Sequence, residues 1–162
     1  MNEIPTEKLL PQGLQNILNA KRECRAQAND IHNEIIDREM KTLHLPLKAQ
    51  WYEMIESLIK GAEYRGITAY WIVRLFEYSD GSNIPRITAN ILAAHPEILS
   101  LRLGQGVIVF KKYTHVKFSY GYTKRTMTFE IESITIGKGN PEWGAPTEDV
   151  FIIKLGKRMS GE

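Results

Sequence analysis

From Val107 to Leu155 the apolar residues recur with a period of two, and this most restricts what the chain can fold into. Val116, Phe118 and Tyr120 alternate with His115, Lys117 and Ser119, and a turn at Gly121 leads to Met127, Phe129 and Ile131 on one face. Alternation of this kind marks half-buried strands. The phase then slips, because Ile134 and Ile136 stand on the other parity. A bulge near Glu132-Ser133 would produce such a slip where a strand bends round a small barrel. After the loop Gly137 to Gly144, the continuous apolar run Val150 to Leu155 reads as a buried closing strand.

Upstream, Leu43, Leu45 and Leu47 alternate with His44 and Pro46 in a first strand, Thr42 to Leu47. Trp51, Met54, Ile55, Leu58 and Ile59 then follow helical spacing, with Gly61 placed to close the helix as a left-handed residue. Glu63-Tyr64-Arg65 runs out extended, and Thr68 can cap a short helix through Trp71, Arg74 and Leu75. Asp80-Gly81-Ser82 signals a turn, and Ile87, Ile91 and Leu92 suggest a helix that Pro96 ends or kinks. Residues 77–106 therefore read as an insertion over one edge of the barrel. A strand, a helix and late antiparallel strands predict an α+β barrel over residues 41–162.

Residues 1–40 read as a separate helical extension. Pro11 and Gly13 punctuate its start, and Leu14, Ile17, Cys24, Ala28, Ile31 and Ile35 recur at coiled-coil spacing. Lys21 interrupts the stripe, so a helix this thin in apolar surface needs a partner, either the barrel or a second copy in a homodimer. Cys24 is the only cysteine, which rules out an internal disulfide. No apolar run reaches bilayer length, and Met1-Asn2-Glu3 has no signal-peptide layout. Both features lead to the expectation of a cytoplasmic protein with no membrane partner.

Charge is unevenly spread. Residues 1–40 carry five Lys/Arg against seven Asp/Glu, which leaves 16 basic and 12 acidic residues for the remainder. Between Glu97 and Glu130 there is no acidic residue, and Arg102, Lys111, Lys112, Lys117, Lys124 and Arg125 fall in that gap among Phe110, Tyr113, Phe118, Tyr120, Tyr122 and Phe129. Such interleaving suits phosphate neutralisation with base stacking. It equally suits a barrel with core aromatics and solvated lysines, and both readings stand.

Several segments, in order, resemble an ASCH domain of the form found in bacteriophages and gut bacteria. They are Lys41-Thr42-Leu43-His44-Leu45, Lys60-x-x-Glu63-Tyr64-Arg65 and Tyr70-Trp71-Ile72-x-Arg74-Leu75, then Phe118-x-x-Gly121-Tyr122. Ile136-Gly137-x-Gly139-x-Pro141-Glu142-Trp143-Gly144-Ala145 and Phe151-Ile152-Ile153-Lys154-Leu155-Gly156-Lys157 complete the set. The likeness spans residues 41–159 apart from 77–106 and does not include residues 1–40. It implies a PUA-like barrel, flanked by short helices, with a cleft beside the first helix. It also implies roles in RNA binding, RNA processing or coactivation, and a few of its members are enzymes. The family motif Gly-x-Lys-x-x-Glu-x-Arg is matched at Lys60, Glu63 and Arg65, with Leu58 in the glycine place, a change that fits if the helix runs one turn further.

The ligand expected from these residues is RNA or a nucleotide-like molecule, held by Lys60, Glu63 and Arg65 and along the Lys111–Arg125 face by Lys111, Lys112, Lys117, Tyr120, Tyr122, Lys124 and Arg125. Arg65 suits phosphate or a base edge, and Glu63 suits an exocyclic amine. The plain alternative is an ion pair bracing helix against strand. Trp71 and Arg74 can form a stacking wall with a cation beside it, or Trp71 can fill the core. Trp143 can be a lid or an anchor for its loop. If the protein were an enzyme, Lys60 and Glu63 would be catalytic, as in a hydrolase of a modified nucleoside. ASCH amidohydrolases of N4-acetylcytidine use a lysine, which Lys60 matches, and a threonine whose place Glu63 takes, while their distant glutamate has no match. A third alternative is a phage accessory protein that contacts a host protein through residues 1–40. Metals and cofactors are not expected: His32, His44, His95 and His115 lack ligand spacing, and Gly137 and Gly139 do not form a P-loop. No serine elbow is present, and Glu130 with Glu132 is too weak a pair to imply acid–base chemistry.

Overall fold

A computed structural model describes residues 11–161, with the side chains of 33–39 and 160–161 outside that description. The polar start Met1-Asn2-Glu3 and the Ile35 side chain therefore lie outside the described residues. The chain divides into two units, Met1–Met40 and Lys41–Glu162. In the first, α1 spans Gln12–Glu39, and Leu14, Ile17 and Ile31 of the expected stripe are exposed on it. No helix among the described residues is long and apolar enough to cross a membrane.

The second unit is α+β, with its main sheet curled into a half-barrel. Its elements are β1 (Thr42–Leu47), α2 (Ala49–Glu56), β2 (Ala62–Gly66), α3 (Ala69–Leu75), β3 (Phe76–Tyr78), α4 (Arg86–Ala94), α5 (Pro96–Gly104), β4 (Ile108–Phe110), β5 (His115–Tyr120), β6 (Thr126–Gly137) and β7 (Val150–Gly161). The five-stranded sheet has the order β1-β5-β6-β7-β2, and β3 pairs with β4 separately. β1 runs parallel to β5, and every other pairing is antiparallel. As an edge strand β1 tolerates Pro46, which has no amide hydrogen to give a ladder. The β6–β7 register shifts between Phe129 and Ile131 and again between Ile131 and Ser133, where the parity slip of the sequence placed a bulge.

The alternating residues make the concave face. Leu43 and Leu45 register with Val116 and Phe118, which register with Phe129 and Met127, and all are buried. Residues 77–106 do not merely lie over an edge: Ile84, Ala89, Leu92 and Leu99 enter the same core, each at most 5% exposed. Burying each of the Ile and Leu side chains contributes about 1.5–3 kcal/mol, so this segment belongs to the fold. Pro96 does two jobs, stopping α4 and opening α5 at a position where its missing amide hydrogen costs nothing.

The end of α2 departs from expectation. Leu58 and Ile59 do not extend the helix, and they stand 71% and 61% exposed. Leu58 takes the left-handed conformation, with φ of 61°, where Gly61 was expected to do so. The amide of Ile59 donates to the Met54 carbonyl at 2.9 Å and that of Leu58 to the Ile55 carbonyl at 3.0 Å. This is a Schellman closure, which needs a residue with positive φ at that place. The motif position filled by glycine in the ASCH pattern is thus the one where this backbone turns left-handed, not one where the helix runs on.

Candidate functional site

The left-handed turn at Leu58 delivers Lys60 inward. Its amide also donates to the Met54 carbonyl at 3.0 Å, and the residue is only 3% exposed. On β2, Glu63 and Arg65 lie opposite Ile153 and Phe151, so both point to the concave face. Lys60 Nζ reaches Glu63 Oε2 at 2.7 Å, and Arg65 Nη2 reaches Glu63 Oε1 at 3.1 Å. Each carboxylate oxygen thus holds one cation and keeps a second acceptor lobe.

Aromatic rings surround the cations. Lys60 Nζ lies 4.7 Å from the Trp51 ring centre and 5.5 Å from that of Tyr64. The Arg65 and Arg74 guanidinium carbons lie 5.0 Å and 5.3 Å from the Trp71 ring centre. Arg74 donates to the Tyr70 hydroxyl at 2.8 Å and to the His44 carbonyl, tying α3 to β1. Lys60 and Arg65 thus share the Glu63 carboxylate, and Arg74 joins Arg65 at the Trp71 ring. Burial lowers the pKa of Arg65 from its usual value, and Arg74 adds to this while Glu63 opposes it. The Arg65 Nε is buried without a hydrogen-bond partner among the described residues, while its Nη2, besides its pair with Glu63, donates to the Pro46 carbonyl at 3.4 Å.

The Gly137–Gly144 loop covers one side of this cluster. Its Asn140 amide donates to the Tyr64 hydroxyl at 3.1 Å. A Cβ at Gly139 would collide with Ala145 and meet Tyr64 at 3.0 Å, while Trp143 packs near Gly61. A hollow of about 280 Å³ opens beside the cluster, lined by Pro46, Leu47, Lys48, Trp51, Glu63 and Arg65. A larger hollow of about 560 Å³ includes Lys138 and Asp149, an exposed pair at 3.1 Å, and has no buried charge in its lining. The smaller one is the better candidate, because buried charge beside a concavity is where function concentrates.

Lys60, Glu63, Arg65, Trp71 and Arg74 come together as the sequence suggested; most residues of the acid-free stretch do not join them on one face. Lys111 Nζ donates to the Val73 carbonyl at 3.0 Å and the Tyr113 hydroxyl to the Arg74 carbonyl at 3.0 Å, so both close the end of α3. Arg125 pairs with Glu56 at 2.6 Å and sits 5.2 Å from the ring centres of both Tyr52 and Tyr120. With the Tyr120 hydroxyl 3.3 Å from Glu53, this braces the β5–β6 turn against α2. Lys117 registers with His44 and Thr128, on the convex face of the sheet. Lys112 and Lys124 are exposed, and Tyr122 is fully exposed at the turn.

Trp51 and Tyr64 were not marked as site residues by sequence, since Trp51 fits the buried stripe of α2 and Tyr64 alternates away from its charged neighbours. Among the described residues no group of three or more His, Cys, Asp or Glu side chains comes together to hold a metal. Compared with protein-family models, curated proteins and solved structures, the chain matches none.

Proposed function

We propose that residues 41–162 are an ASCH-type, PUA-like domain that binds RNA or a nucleotide-like ligand in the hollow beside Lys60, Glu63 and Arg65. The observation that carries this reading is the buried charge cluster at the hollow: Lys60 and Arg65 share the Glu63 carboxylate, Arg74 stands at the same Trp71 ring as Arg65, and Glu63 and Arg65 line the hollow. A phosphate or base edge presents acceptors to the Arg65 fork, and the spare lobes of Glu63 accept from an exocyclic amine. The sequence likeness at Lys60, Glu63 and Arg65 supports the same assignment.

The clamp on Glu63 weighs against hydrolysis. A general base must have an oxygen within reach of the proton it takes, and both Glu63 oxygens are already engaged, by Lys60 at 2.7 Å and by Arg65 at 3.1 Å.

Fluorescence anisotropy with a labelled mixed-sequence single-stranded RNA tests the reading. Binding is expected at low salt and to weaken steadily as salt rises, with a slope of about −0.7 per phosphate neutralised. Arg65→Met is expected to weaken it at least about tenfold while leaving the circular dichroism spectrum unchanged. Absence of binding at low salt, or equal binding by Arg65→Met, overturns the proposal.

A further inference from the structure

The hollow beside Arg65 has a neighbour at the β1–α2 connection. A second hollow of about 270 Å³ is lined by Pro46, Leu47 and Lys48, which also line the first, and by Gly121 and Tyr122. The two hollows share these three residues of their linings. The second is walled by the β5–β6 turn, which is fastened to the connection by the Gly121 amide donating to the Leu47 carbonyl at 2.8 Å.

That turn is built to hold its shape. Thr123 Oγ1 donates to the Tyr120 carbonyl at 2.7 Å and Ser119 Oγ to the Gly121 carbonyl at 2.9 Å, while Arg125 anchors its far side to Glu56 at 2.6 Å. Gly121 has a φ of 56°, a conformation that costs glycine little. On this braced turn Tyr122 is 100% exposed, so its ring does not fill the core. Lys48, common to both hollows, is exposed and makes no ion pair among the described residues.

We infer that the ligand is a single strand of RNA at least two nucleotides long, and not a free nucleoside or mononucleotide. One nucleotide occupies the Arg65 hollow, the linking phosphate lies at Lys48, and the next base stacks on Tyr122. This rests on the RNA-binding reading above and goes further by fixing the size of the ligand. The first hollow falls just below the usual size of ligand sites, which run from about 300 Å³ upward, so it suits no more than one nucleoside-sized group. A cation between an arginine-lined hollow and an exposed aromatic ring matches the repeat of a single strand, where charge alternates with stacking base.

The test compares a 5′-mononucleotide, a dinucleotide and a tetranucleotide of one sequence, by anisotropy or calorimetry, on the full chain and on Tyr122→Ala, Tyr122→Phe, Lys48→Gln and Arg65→Met. Affinity is expected to rise at least about tenfold from mononucleotide to dinucleotide. Tyr122→Ala should abolish that gain without touching mononucleotide binding, and Tyr122→Phe should restore it. Lys48→Gln should reduce the salt slope for the dinucleotide. If mononucleotide binds in an Arg65-dependent way but gains nothing from the second nucleotide, or if Tyr122→Ala leaves the gain intact, the strand inference falls and the nucleotide-binding reading survives. If no ligand of the series binds, both fall.

Discussion

The backbone of Gly144 lies against Trp51 so closely that a Cβ at that position would stand 2.5 Å from the ring's Cζ2. Gly144 also has a φ of 85°, and the same ring carries Lys60 on it at 4.7 Å. Gly144→Ala therefore combines left-handed strain with a steric conflict beside the candidate site. Gly81 separates the two effects, since its φ is 84° and nothing lies within 4 Å of an added Cβ. Urea denaturation should show Gly81→Ala costing about 1 kcal/mol and Gly144→Ala about 3 kcal/mol, with altered tryptophan fluorescence only in the latter. Equal costs would remove the packing argument.

Glu63 balances the cluster, so its loss should be felt more than that of either cation. Glu63→Gln leaves Lys60, at 3% exposure, and Arg65 without a counter-charge. Stranding buried charge in this way costs about 3–5 kcal/mol. Lys60→Met leaves Glu63 paired with Arg65 and should cost clearly less. Thermal and chemical denaturation of the two variants reads the order directly; a Lys60→Met protein less stable than Glu63→Gln would show that charge balance does not govern the cluster.

Lys111 illustrates how the destination of a charge differs from its place in the chain. Because it closes the Val73 carbonyl at 3.0 Å, Lys111→Met should lower stability by about 1 kcal/mol. The slope of RNA affinity against salt should stay unchanged, as a capping lysine neutralises no phosphate. A shallower slope in Lys111→Met would return this lysine to the binding surface.

What the sequence made legible was the part governed by local pattern. Period-two alternation located β1, β5 and β6, a continuous apolar run located β7, and the parity change at Ile134 located the bulge, because each follows from which faces a side chain must occupy. Thr68 was recognisable as a cap from its hydroxyl alone, and it accepts from the Trp71 amide at 3.4 Å. The helix after Pro96 was missed because a proline that ends one helix equally opens another. The basic stretch was overread as one face, since its members are sorted by contacts distant in sequence: Lys111 to Val73, Arg125 to Glu56, and Lys117 by sheet parity to the convex side. The Lys60, Glu63 and Arg65 cluster was legible because a turn and one strand bring it together over a few residues.

The misjudged end of α2 supplies the last test. Leu58 and Ile59 continue the apolar spacing of the helix, so pattern alone extends it, yet the chain closes at Leu58 with a φ of 61°. Left-handed geometry costs a residue with a Cβ about 1–2 kcal/mol, and Leu58, 71% exposed, recovers little by burial. Leu58→Gly removes the strain while adding chain entropy to the unfolded state, for a net gain of about 0.5–1 kcal/mol. Leu58→Ala keeps the Cβ and should leave stability within about 0.5 kcal/mol of the parent. Because Lys60 is carried by the same turn in both variants, RNA affinity should be unchanged. A Leu58→Gly protein that melts lower than Leu58→Ala would mean that Leu58 is held by contacts other than this closure.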